Sequence, residues 1–110
     1  MRVLSAAFLV VFATAVAPPA LAGYKGYGIG MKSCGAWLQE RKSESGDWYM
    51  MGQWVLGYVT AYGYYGSHDL RDVDSPAMSS WIDNYCQQTP LEDIETAAQK
   101  LIDTLKTKKR

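Results

Sequence analysis

Cys34 and Cys86 are the only cysteines in the 110-residue chain, so any fold built from this sequence has to accommodate a joined or an unjoined pair. Which of the two applies depends on the compartment, and the first 22 residues address it. Met1-Arg2 supplies one positive charge, Val3 to Val16 is an almost unbroken apolar run, and Ala17-Pro18-Pro19 breaks that run before the small residues of Ala20-Leu21-Ala22. This is the order of a secretory signal, with cleavage expected after Ala22. The apolar run, about 14 residues, is shorter than the roughly 20 that span a bilayer as a helix. No membrane anchor is expected after cleavage, and the product is expected in the periplasm.

Export delivers both cysteines to an oxidising space, where a lone pair is normally bonded. The mature part, residues 23–110, is small enough that burial alone leaves it marginally stable. Its aromatic mass comes from four tryptophans and eight tyrosines, because both phenylalanines fall in the signal. A Cys34–Cys86 bond is therefore expected, and closing a loop of that length removes on the order of 4 kcal/mol of unfolded-state entropy. The competing uses of cysteine are disfavoured: one histidine in the chain and no Cys-x-x-Cys spacing give neither a zinc set nor a redox pair. No metal and no other cofactor is expected.

Periodicity reads the remainder as an all-α domain, residues 33–110, behind a flexible leader over 23–32. The expected architecture is a small four-helix orthogonal-type domain with one disulfide. Ser33 caps a first helix carrying Cys34, Trp37, Leu38 and Arg41 at helical spacing. Asp47 caps a second, running to about Tyr62, with Met51, Trp54, Val55, Tyr58, Val59 and Tyr62 on one face. Gly52 and Gly57 lie inside it, where each costs about 1 kcal/mol relative to alanine, so close packing against a neighbouring backbone is expected. Residues 63–74 read as a loop. Ser75-Pro76 opens a third helix that Cys86 closes. Thr89-Pro90-Leu91-Glu92 reads as a capping box for a fourth, with Leu91, Ile94, Ala98, Leu101, Ile102 and Leu105 inward and late lysines complementing its dipole.

Charge excludes one class of partner. Without Arg2 the chain carries ten Lys or Arg against eleven Asp or Glu, lacking the basic excess of a nucleic-acid binder. Catalysis is equally unsupported. Gly66-Ser67-His68-Asp69 sets Ser, His and Asp side by side, where working triads assemble from separated segments. The aspartates of 69–74 lack the ligand spacing of a calcium loop. No phosphate loop, paired-histidine motif or nucleophile elbow is present, and the chain is expected not to be an enzyme. Trp48, Tyr49, Tyr64 and Tyr65 bracket the long helix and do not all fit its inward stripe. They are the candidate surface for another protein or for a second copy.

Ser33-Cys34-x-x-Trp37-Leu38, the helix through Val55-Leu56-Gly57-Tyr58-Val59-Thr60-Ala61-Tyr62, a second cysteine ending a helix and a Lys-rich last segment together resemble the HdeA/HdeB-type periplasmic acid-stress chaperones of Gram-negative bacteria. The resemblance runs from about Ser33 to Lys109. It implies a disulfide between the first and third helices, a homodimer, and binding of unfolded clients at low pH. The chain is also similar to the Rap/Tai-type immunity proteins, small disulfide-bonded periplasmic proteins that neutralise cell-wall-degrading effectors of type VI secretion systems. The first resemblance implies loose binding of many chains, and the second a tight complex with one specific effector. A structural accessory protein with an aromatic docking face is a third expectation.

Overall fold

The computed structural model describes residues 3–14 and 24–110. The Ala20-Leu21-Ala22 cleavage site and Gly23 lie outside the described residues, while residues 3–14 carry no regular secondary structure and stand exposed. Four helices follow: α1 (Cys34–Ser43), α2 (Gly46–Tyr65), α3 (Ser75–Gln88) and α4 (Ile94–Leu105). Among the described residues no helix is long and apolar enough to cross a membrane. The mostly helical class is as expected, with one small addition. Two short strands, β1 (His68–Leu70) and β2 (Lys106–Lys109), pair antiparallel. The terminal lysines therefore belong to a strand and do not extend α4. Residues 63–74, read as a loop, contain β1 as well as the end of α2.

The core forms where α1, α2, α3 and α4 bring their apolar stripes together. Trp37, Met51, Ile82 and Ile94 are fully buried, joined by Val55 and Val59 from α2 and by Ala98, Leu101, Ile102 and Leu105 from α4. Cys34 at the start of α1 and Cys86 near the end of α3 are bonded inside it. Leu91 does not contribute, being 97% exposed.

Helix starts depend on which polar side chain reaches the free backbone donors, and local sequence offered several. Ser33 Oγ accepts from the Ala36 amide, as expected. Ser45 caps α2 through the Trp48 amide, leaving Asp47 in the first turn, and Asp74 caps α3 through the Ala77 amide, one residue ahead of Ser75. The box at Thr89 does not form. Thr89 ends α3 instead, its hydroxyl donating to the Tyr85 carbonyl, and Asp93 caps α4 through the Thr96 amide at 2.7 Å. The reason is tertiary: Cys34 and Gly35 donate to the Glu92 and Pro90 carbonyls, and Ile94 donates back to Lys32. Residues 90–93 are thereby held as a ladder against the entry of α1 and do not wind into helix. Asp93→Ala should consequently cost about 0.5–2 kcal/mol in chemical denaturation, and Thr89→Ala less. The reverse order would restore the Thr89 box.

From Gly26 onward the leader lies against the helices. Ile29–Met31 form a 3-10 turn, the Tyr27 carbonyl accepts from Trp54 Nε1 at 2.9 Å, and Gly30 is buried against the Trp54 ring. A Cβ at Gly30 would collide with that indole, and Gly28 beside it holds φ at 87°, so both positions require glycine.

Candidate functional site

Of the neighbouring Ser67, His68 and Asp69 side chains, the structure brings the first two together. Ser67 Oγ lies 3.0 Å from His68 Nδ1, which also faces the Tyr62 hydroxyl at 3.3 Å. Asp69 turns away to pair with Arg110 at 3.3 Å, so it does not orient the imidazole as the acid of a triad would. Asp74 is spent on the α3 cap. Among the described residues no group of three or more His, Cys, Asp or Glu side chains could hold a metal ion.

The distinctive surface lies on α2. From Trp48 to Tyr65 the helix carries no Asp, Glu, Lys, Arg or His on any side. A helix that is hydrophobic all round is ordinarily covered all round, and α2, although it carries Gln53 and Thr60, has no charge to mark a solvent face. Here Met51, Val55 and Val59 face the core, whereas Tyr49, Gln53, Gly57, Thr60 and Tyr64 look outward and are exposed. Tyr49, Tyr64 and Tyr65 keep 64%, 77% and 84% of their surface in solvent. Tyr64 and Tyr65 belong to the helix, which runs three residues past the expected end at Tyr62. The Arg110 guanidinium explains the extension, since it donates to the carbonyls of Gly63, Gly66 and His68 and so satisfies the end of α2 from 42–47 residues away. Gly52 and Gly57 meet nothing where a Cβ would stand, so the expected close packing within the chain is absent at both.

The four candidate aromatics form two groups at opposite ends of α2, about 22 Å apart at the helical rise. Tyr64 and Tyr65 stand edge to face at 4.7 Å. Trp48 is half-buried beneath the Arg41 guanidinium, 4.4 Å from the ring centroid, and its Nε1 is a buried donor with no partner among the described residues. Trp48 and Tyr49 wall a groove of about 260 Å3 between α2 and α3, completed by Arg41, Gln53, Leu56, Pro76 and others. Arg41 is held in place by Asp83, whose carboxylate accepts from Arg41 Nε at 3.1 Å and 3.2 Å and from Trp37 Nε1 at 2.7 Å. Sequence reasoning missed Arg41 and Asp83 as site residues. The usable signal was the uncharged run itself, interrupted only where Arg41 reaches over from α1.

One titratable group lies deep in the fold. Glu95, at 5% exposure, sits under the leader between Gly26 and the Tyr58 hydroxyl, which donates to it at 3.4 Å. Burial raises its pKa above the ordinary carboxylate value, with a Gln99 hydrogen bond acting in the opposite sense. The folded carboxyl thus keeps its proton to higher pH than the unfolded one, so stability falls as pH rises between the two values. Glu95→Gln should stabilise the protein at neutral pH, with the advantage fading to nothing near pH 3, where both states are protonated. Urea midpoints at the two pH values test this; an equal advantage at both would mean burial does not act on the charge.

No family model matches the chain, and no curated protein or solved structure matches it.

Proposed function

We propose that this chain is an exported protein that acts by binding another protein in its folded state, through the aromatic surface of α2 and the groove between α2 and α3. The observation that carries the reading is an uncharged helix whose outer face stands open in the native fold, rimmed by Tyr49 and Tyr64. Exposed aromatic surface next to a polar anchor such as Arg41 is the composition of interface hot spots. The Cys34–Cys86 bond is compatible with the oxidising space to which the N-terminal signal would deliver the chain.

A surface already formed in the folded state suits one folded partner held tightly at neutral pH, the mode of the Rap/Tai-type immunity proteins. The HdeA/HdeB-type reading requires acid to loosen the fold first. Charge arithmetic favours that second reading, because protonating eleven carboxylates leaves ten Lys or Arg unbalanced in a small domain. Glu95 opposes it, since acid strengthens the fold at that position.

Isothermal titration of the oxidised protein against cell-wall-degrading type VI effectors of the same organism separates the two readings. A one-to-one complex at neutral pH that abolishes effector activity is the expected result. Absence of any complex, together with suppressed client aggregation after acidification and neutralisation, would transfer the assignment to the acid chaperone.

A further inference from the structure

We infer that the outer side of α3 carries a binding site for a neutral sugar ring, built from Trp81, Asn84, Tyr85 and Gln88. The site shares no residue with α2 or with the groove between α2 and α3. It therefore goes beyond the protein-binding reading and stands or falls separately from it.

Helical spacing assembles the four residues. Trp81 and Tyr85 lie one turn apart, Asn84 and Gln88 likewise, so a row of aromatic side chains runs beside a row of amides. Ile82 and Cys86 of the same turns are buried on the inner side. The four outer side chains line an open hollow of about 230 Å3.

The hollow is built before any ligand arrives. The two rings are nearly parallel, 11° apart in plane, with centroids at 5.4 Å. Tyr85 donates its hydroxyl proton to the Glu92 carboxylate, and the Glu92 backbone is itself held, its carbonyl accepting from Cys34 and its amide donating to Thr89. The Thr89 hydroxyl closes the set by donating to the Tyr85 carbonyl. A ring fixed in this way gives up little freedom on binding.

The chemistry of the lining selects the occupant. Aromatic faces are negative at their centres and attract polarised C–H groups laid flat against them. Each amide offers two donors and one acceptor. Asn84 and Gln88 are exposed, and among the described residues the side-chain hydrogen bonds of α3 and its ends run through Asp74, Asp83, Tyr85 and Thr89, leaving both amides for a ligand. No charged residue lines the hollow, because the one charge of α3, Asp83, is turned to Trp37 and Arg41. A nucleotide would stack as well, but its phosphate would find no cation and would approach Glu92. An aliphatic side chain would cover the rings and strand the amides. A pyranose satisfies both rows: C–H bonds cross its face, hydroxyls that donate and accept surround its rim, and it carries no charge.

Titration of the 15N-labelled, oxidised protein with cellohexaose, maltohexaose and the hexamer of N-acetylglucosamine tests the site and separates glycans by linkage and by acetamido group. The indole N–H signal of Trp81 should shift saturably with at least one of them, with Kd near about 1 mM, while the other three tryptophans stay in place. Asn84→Ala combined with Gln88→Ala should keep the helical circular-dichroism spectrum, since both side chains are exposed, and should weaken binding about tenfold. A Trp81 signal unmoved by all three sugars at about 20 mM overturns the site. So does equal binding by the double variant, which would reduce it to bare aromatic surface, and so does tighter binding of adenosine monophosphate than of any sugar.

Discussion

Replacing Cys86 by alanine should lower the unfolding free energy by about 2–5 kcal/mol, the largest single effect expected in this molecule. Both sulfurs are fully buried, and the bond ties the first residue of α1 to the last turns of α3 across a separation of 52 residues. It acts first on the unfolded chain, whose loop it closes at an entropic cost of on the order of 4 kcal/mol. It acts again on the native state, because Cys34 also anchors the ladder to Glu92 that positions the start of α4. A small domain has total stability of about 5–15 kcal/mol, so the reduced form stands near the edge of folding. Denaturant titration of the oxidised protein, the thiol-reduced protein and Cys86→Ala should place the last two together, well below the first. Reduction that left the midpoint unchanged would show that the four-helix core is sufficient by itself.

The fold class, the disulfide and the inward faces of α1, α2 and α4 were legible because each rests on local periodicity or on the arithmetic of two cysteines. The boundaries were legible only where a single capping candidate was available. At Ser33 one hydroxyl precedes one apolar stripe. At Thr89 and Asp93 two equally good caps compete, and the choice falls to backbone pairing between Lys32–Gly35 and Pro90–Ile94, which are remote in sequence. The end of α2 illustrates the same limit. Gly63 reads as a terminator, yet Arg110 satisfies the following carbonyls and the helix continues to Tyr65. The strands were hidden because three and four residues are too few to show alternation.

Of the candidate surface, Tyr49, Tyr64 and Tyr65 were visible as aromatics that miss the core stripe, and the structure leaves all three exposed. Trp48 was grouped with them because the four bracket the helix and do not all fit its inward stripe. It is the half-buried wall of a groove, held there by Arg41, whose placement depends on an acid of α3 that nothing in the local sequence connects to α1. The close packing expected at Gly52 and Gly57, by contrast, is absent within the chain, because a glycine's cost is legible in sequence but the presence of a backbone beside it is not.

Asp83→Ala should cost about 2–4 kcal/mol, because one carboxylate serves two donors and the buried one has no substitute. Trp37 is fully buried, so losing the acceptor 2.7 Å from its Nε1 strands an indole N–H away from water. Arg41, whose side chain is 33% exposed, keeps partial access to solvent, which moderates its share of the loss. Through Arg41 the same carboxylate fixes the cation over Trp48, so a single residue of α3 organises side chains from α1 and α2. Asp83→Asn separates the two roles: its amide oxygen still accepts from Trp37, while the charge facing Arg41 is gone. We expect Asn to cost about half as much as Ala in urea denaturation, and both variants to alter the Trp48 environment seen by near-ultraviolet circular dichroism. Equal losses for Asn and Ala would show that the ion pair, and not the buried indole, dominates. If the near-ultraviolet spectrum stays unchanged in both variants, Arg41 does not hold the groove, and the wall at Trp48 must be positioned by the packing of α2 against α3 alone.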